Sequence, residues 1–354
     1  MERELFSTWT IGSLEIKNRL VRSATGERNA EATGEVNDEI ANIYKTLAEG
    51  GIGLIITGHA FVSPDGRTKE GQLGIHDDYC IDGLTKIAGT VHASGSRILL
   101  QISHGGSRSQ PLGTKGNTDR AIKGANDFSL KEIEKIRSNF ITAAARAEKA
   151  GFDGIQIHGA HRYLLSEFLS PVTNTRNDEY GGRNGGTRLI KDIIKGIRSS
   201  VSEGFVVTIK VGTDIDENGN NQNDLLLSIE DFIKAGLDCV EISKGIAPLD
   251  STVKEKIKPH INEAYNLDVA LYIKNHLPDF PIIVVGGIRS IETAEDILRQ
   301  GINAVALCRP LIMEPDLPYR WMENDRRPAT CISCARCIME NGPVICHIKK
   351  ALKK

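Results

Sequence analysis

Residues 129–158 read SLKEIEKIRSNFITAAARAEKAGFDGIQIH, and this stretch decides the fold. Its first part repeats apolar side chains at helical spacing, with Ile133, Ile136, Phe140, Ile141 and Ala144 on one face. Ser129 followed by Glu132 makes the capping-box pair that starts a helix, and Gly151 supplies its stop. Gly154–His158 then forms a short apolar run that ends in a histidine. A helix thus hands the chain to a strand. The same alternation recurs along the chain. Apolar, β-branched runs lie at Leu20–Ser23, Ile52–Thr57, Arg97–Ser103, Val206–Val211, Cys239–Ser243, Ile282–Gly286 and Ala304–Leu307, with helical segments between them. These runs are nearly continuous in apolar character, as parallel strands covered on both faces require.

Eight strands with intervening helices fit either an open doubly wound sheet or a closed (β/α)8 barrel. No G-x-G-x-x-G follows the first strand, which weakens the dinucleotide-binding sheet. A barrel takes about 250 residues. The remaining length suits an N-terminal hairpin, long βα loops and a C-terminal extension. The expected fold class is therefore α/β, a TIM barrel over residues 1–325 with a Cys-rich tail over 326–354.

The chain has 354 residues, 40% hydrophobic and 25% charged, with a formal net charge of −2. That composition excludes a disordered chain, a collagen-like repeat and a small disulfide scaffold. The near-zero charge argues against an electrostatic grip on nucleic acid or anionic lipid. No apolar run is long enough to span a bilayer. The start, MERELFSTWT, lacks the apolar core of a secretory signal. A cytoplasmic protein is the expectation, with self-association left open.

Polar and glycine-rich residues cluster just after the strands, where a barrel keeps its chemistry. Examples are His104-Gly105-Gly106, residues 158–183, Gly286-Gly287 and Arg309. The segment Gln110–Asp127 is long for a loop, and such loops tend to shape active sites. Residues 157–183, IHGAHRYLLSEFLSPVTNTRNDEYGGR, are the most informative. His158, His161 and Tyr163 sit together at a strand end. Two chemistries fit the paired imidazoles: ligation of a metal, or donation of hydrogen bonds to an oxyanion with Tyr163 as proton donor. The zinc-protease pattern, two histidines four apart with a glutamate between, is not present.

This segment resembles the Old Yellow Enzyme family of FMN-dependent oxidoreductases, whose corresponding loop reads H-G-A-H-G-Y-L-x-x-x-F-L-S-P-x-x-N-x-R-x-D-x-Y-G-G. Further family marks follow in order: LFSTWTIGSLEIKNRLVRSAT, EGGIGLIITGHAFVSPDGR, LLQISHGGSRS, IVVGGIRSIETAED and AVALCRPLIMEPDLP. The resemblance covers roughly residues 5 to 320 and implies a (β/α)8 barrel. It implies that Ala24 and Thr25 lie against the flavin ring of FMN, with His59 nearby. Gln101 would bond the pyrimidine end, and Lys210 would sit by N1 and O2. Gly286, Gly287, Cys308 and Arg309 would hold the phosphate. The phosphate site has independent support, since barrels bind phosphate after their last two strands and arginine suits that anion. His158 and His161 would polarise the carbonyl of an acceptor, an activated alkene such as an enone. Tyr163 would protonate its α-carbon, and NAD(P)H would be the electron donor.

The chain departs from the family pattern in places. Arg162 stands where glycine is usual, which puts a cation near the substrate mouth; it either selects an acidic acceptor or points to solvent. Lys210 replaces arginine, keeping the charge but losing the bidentate fork. Gly26 and Arg28 replace the bulky or reactive residues of other branches. The tail holds Cys331, Cys334, Cys337 and Cys346, spaced C-x2-C-x2-C-x8-C. Such crowding suits a [4Fe–4S] cluster, zinc or free thiols. Longer family members carry a cluster just after the barrel, with wider spacing. Three other functions stay in view: a dehydrogenase passing electrons through the tail to a protein partner, a flavin-free lyase or aldolase using Lys210 as a Schiff-base amine, and a barrel that only binds.

Overall fold

The computed structural model describes residues 4–112, 122–245, 260–339 and 342–352. The expected long loop at Gln110–Asp127 falls partly outside this range. A hairpin of β1 (Trp9–Ile11) and β2 (Leu14–Ile16) precedes the barrel. The barrel strands are β3 (Leu20–Arg22), β4 (Leu54–Ile56), β6 (Arg97–Ser103), β7 (Gly154–His158), β8 (Val206–Thr213), β9 (Cys239–Lys244), β10 (Ile282–Val285) and β11 (Ala304–Leu307). All pair in parallel, and β11 returns to β3 with Val305 opposite Leu20, closing the ring. Among the described residues, the one strand not expected from the sequence is β5 (Ala60–Phe61), which extends β6 at its C-terminal end. It is too short for a periodicity reading to detect.

The helix capped by Ser129 runs from Leu130 to Lys149. Ser129 Oγ accepts from the Glu132 N–H, and the Glu132 carboxylate accepts from the Ser129 N–H at 2.8 Å. Such a cap contributes about 1 kcal/mol. Gly151, at φ +80°, ends the turn.

Side chains alternate across each strand. Ile55 faces the helices, whereas Leu54 and Ile56 face the barrel axis. The inner core also holds Val21, Leu99, Val206, Cys239, Ile283, Ala304 and Ala306, and Trp9, Ile11 and Ile16 of the hairpin plug its lower end. Each large apolar side chain so buried contributes about 1.5–3 kcal/mol. Higher along the same inward rows the chemistry changes. Gln101 lies opposite Gln156, Gln156 opposite Thr208, His158 opposite Lys210, and Lys210 opposite Glu241. The inward face thus turns from apolar to polar toward the C-terminal ends of the strands.

The tail lies against that polar end. Ala329 N–H donates to the Arg289 carbonyl and Val344 N–H to the Glu27 carbonyl, both at 2.8 Å. Among the described residues, no helix is long and apolar enough to cross a membrane.

Candidate active site

Two adjoining cavities open at the C-terminal end of the barrel, with volumes of about 620 and 760 Å³. Ala24, His161 and Cys308 belong to both walls, so the two form one cleft. Lys210, Gly287, Arg289 and Arg309 line the first end; Thr25, His59, Thr68, Gln72, Arg108 and Tyr163 line the second.

The first end is built to receive an anion. Gly287 has φ +73°, a conformation open to glycine without strain, and Arg309 is the second residue after the last strand. Arg289 was not expected from the sequence. It is 2% exposed, and its guanidinium reaches Ser333 Oγ and Cys331 Sγ. Among the described residues its Nε–H has no partner. An unpartnered buried donor is costly, and a phosphate oxygen in this cavity would satisfy it. The residues present therefore fit FMN. The GGIR motif after the strand run was the available signal for Arg289. Gly286 lies behind this wall, its carbonyl accepting from Tyr265 N–H.

The floor of the cleft is a buried polar network. Lys210 Nζ lies 3.1 Å from Glu241 and donates to Ser23 Oγ at 2.8 Å. Ser23 Oγ donates to Glu241 at 2.6 Å, and Gln156 Nε2 donates to Glu241 at 2.8 Å. Gln101 Nε2 donates in turn to Gln156 Oε1 at 2.7 Å, below the cavity walls. An ion-paired ammonium is a poor Schiff-base nucleophile, which weighs against the aldolase alternative. Ser23, Gln156 and Glu241 were not singled out in the sequence, although strand alternation turns Gln156 and Glu241 inward with Gln101 and Lys210.

At the other end the rings meet. His158 stacks on Tyr163 with centroids 4.3 Å apart, and His161 meets His158 edge-on at 5.3 Å. His161 and Arg162 both adopt φ near +60°, the tight turn that swings the second imidazole back over the strand end. His161 Nε2 bonds Ser243 Oγ at 2.8 Å. His158 Nδ1 accepts from the Ala160 N–H at 3.4 Å, which leaves Nε2 to carry the proton of a neutral ring. His59 Nε2 lies 3.3 Å from Tyr163 Oη. Arg162 lines neither cavity wall; it lies near the Glu167 carboxylate. The cations that do line the second cavity are Arg28, Lys69 and Arg108. Arg108 lies 5.9 Å from the Tyr163 ring centroid and donates to the His161 carbonyl.

Burial dominates the electrostatics. It pushes His59 down to about 4 and His161 to about 3, with nearby cations adding to the effect. His158 is held well below its ordinary value by burial and by the other imidazoles. All three rings are neutral at pH 7. Burial raises the Tyr163 phenol, partly offset by the Thr68 hydroxyl and by Arg108 and Arg28, so the phenol keeps its proton.

The tail cysteines Cys331, Cys334, Cys337 and Cys346 line one small cavity beside Arg309. None forms a disulfide. Among the described residues, no group of three or more His, Cys, Asp or Glu is arranged to hold a metal ion.

Anion donors at one end of a cleft and neutral proton carriers at the other suit a barrel enzyme that works through a phosphorylated cofactor. The chain belongs to the NADH:flavin oxidoreductase / NADH oxidase family, whose model matches residues 4–328. This is the FMN-dependent Old Yellow Enzyme family that the motifs resemble. It is 33% identical over 93% of its length to an NADH oxidase of Thermoanaerobacter brockii, and spans about half of that protein, 52%. It is also 33% identical over 88% of its length to an NADPH dehydrogenase of Clostridium acetobutylicum, covering 92% of that chain. The fold matches an old yellow enzyme homologue from Zymomonas mobilis with a TM-score of 0.75 at 24% identity, covering 91% of this chain and 93% of the other.

Proposed function

We propose that this chain reduces an alkene conjugated to a carbonyl, an enone-type α,β-unsaturated acceptor, with NAD(P)H as electron donor and FMN as resident cofactor. The observation that carries the reading is the Tyr163 phenol in the cavity wall with His161, in the cleft that continues to Lys210 and Arg309. Ala24, Thr25, Lys210, Gly287, Cys308 and Arg309, which line the cleft, would hold FMN, joined by Arg289, with Gln101 and Gly286 behind its walls. When bound, FMN supplies the hydride carrier that NAD(P)H recharges. His158 and His161, neutral at pH 7, bind the acceptor's carbonyl oxygen as N–H donors. Tyr163 breaks its O–H bond to protonate the α-carbon as hydride reaches the β-carbon. The acceptor gains two electrons and two hydrogens, and the phenolate recovers its proton from water.

The cations Arg28, Lys69 and Arg108 support an acceptor that carries a negative charge away from its carbonyl. Arg162, set apart from these walls, is a peripheral contributor. Stopped-flow kinetics of the holoenzyme test the reading. Tyr163→Phe slows the oxidative half-reaction with 2-cyclohexenone by about 10²–10⁴-fold, while flavin reduction by NADPH stays near the parent rate. An oxidative half-reaction as fast as the parent's overturns it.

A second reading is favoured by the four tail thiols around one cavity next to Arg309. In it the enzyme passes electrons to a protein partner through a cluster held by Cys331, Cys334, Cys337 and Cys346. Their present arrangement does not hold a metal, so no step is derived through it. Iron and zinc analysis of anaerobically purified protein decides the matter, and absence of both sinks this second reading.

A further inference from the structure

The Gln72 side chain has only one orientation compatible with its neighbours. Its Oε1 accepts from the Thr68 backbone N–H at 2.7 Å and from Thr68 Oγ1 at 2.9 Å. Its Nε2 faces the His59 carbonyl at 3.2 Å and His59 Nδ1 at 2.7 Å. A backbone N–H is always a donor and a backbone carbonyl always an acceptor. Turning the amide over would set N–H against N–H at Thr68 and oxygen against oxygen at His59. Nε2 therefore donates to His59 Nδ1, and that ring nitrogen carries no proton. Ser103 Oγ, 3.3 Å from the same nitrogen, has the Ala60 carbonyl as its own acceptor at 3.4 Å. A neutral imidazole with a bare Nδ1 bears its proton on Nε2. That atom is the one 3.3 Å from Tyr163 Oη.

We propose that Gln72 holds His59 as its Nε2–H tautomer and that this N–H donates to Tyr163 Oη. The inference rests on the proton-donor reading of Tyr163 and adds two positioning residues to it. With one lone pair of Oη engaged by His59, the phenol's own hydrogen turns away from His59. When the Tyr163 O–H bond breaks and a C–H bond forms at the acceptor's α-carbon, charge gathers on Oη. The Nε2–H of His59 already points at that oxygen. The phenolate then regains its proton from water, and His59 remains neutral throughout, so no further acid or base is required.

The test begins with the FMN-loaded protein labelled with ¹⁵N at its histidine rings. His59 is assigned by the signals lost in His59→Leu. A pyridine-like shift at Nδ1 and a pyrrole-like shift at Nε2 are expected; the reverse pattern overturns the proposal whatever Tyr163 does. Gln72→Leu removes the amide, and the His59 signals then move toward the average of both tautomers. In stopped flow with 2-cyclohexenone, Gln72→Leu slows the oxidative half-reaction about tenfold, and His59→Leu by about 10²-fold, the scale of losing one donor to a developing oxyanion. Rates equal to the parent in both variants overturn the positioning role. A Tyr163→Phe enzyme with parental rate marks failure of the underlying reading, whereas a slow Tyr163→Phe with the reversed tautomer marks failure of this inference alone.

Discussion

Lys210 Nζ and the Glu241 carboxylate face each other at 3.1 Å in the floor of the cleft, with 3% and 0% of their side-chain surface exposed. Breaking a buried pair by removing one partner costs about 3–5 kcal/mol, because the survivor's charge is left uncompensated. Glu241 also accepts from Ser23 and Gln156, so its loss leaves two further donors without a partner. Glu241→Ala therefore lowers unfolding stability by an amount in that range, read from urea denaturation. A loss under about 1 kcal/mol, the scale of an exposed pair, shows that the network is wetter than its burial implies.

Arg309 lines the same cavity as Lys210. Arg309→Ala removes a charge-assisted donor set from the phosphate end, worth about 1.5–3 kcal/mol, so FMN binds roughly 10–100-fold more weakly. Fluorescence of FMN released on dilution measures this directly. Retention equal to the parent removes Arg309 from the phosphate site.

Acid sensitivity follows from the buried imidazoles. His59 and His104 are pushed down to about 4 and His161 to about 3, all below the ordinary 6.5. Below pH 6.5 the unfolded rings take up protons that the folded rings refuse, so stability is present above that pH and falls as the solution is acidified. Each ring contributes up to about 1.4 kcal/mol per pH unit. Glu27 works in the opposite sense. Burial raises its carboxyl to about 7, so its contribution is present below 4.5 and is lost as pH rises to 7. The imidazoles outnumber it, and the net expectation is a falling unfolding midpoint between pH 6.5 and 4.5. A flat profile over that window contradicts the burial of these rings.

The cations of the acceptor cavity make a selectivity prediction. Arg108→Leu raises KM for 3-oxocyclohexene-1-carboxylate by about twofold to fivefold relative to 2-cyclohexenone, the scale of losing one partly solvated ion pair. High salt erodes the parent's preference in the same direction. Equal changes in KM for the charged and neutral acceptors sink the idea of an acidic acceptor.

By itself the sequence determined the alternation of strand and helix and the strand-end positions of His158, His161, Tyr163 and Arg309, whereas Lys210, read as the end of its strand, lies inside β8, which runs on to Thr213. Each of these depends on local periodicity or on residues close in the chain, where burial of an apolar stripe dictates what the backbone must do. Only the tertiary structure decided which distant groups meet. His59 and Tyr163 are 104 positions apart, and Lys210 and Ser23 are 187 apart. The sequence left Arg162 either facing an acceptor or pointing to solvent; in the structure it lines neither wall of the cleft, and the cations that line the second cavity are Arg28, Lys69 and Arg108. The sequence did not single out Gln72. Its role depends on the facing backbone groups of Thr68 and His59, and their relative placement is set by closure of the barrel around them.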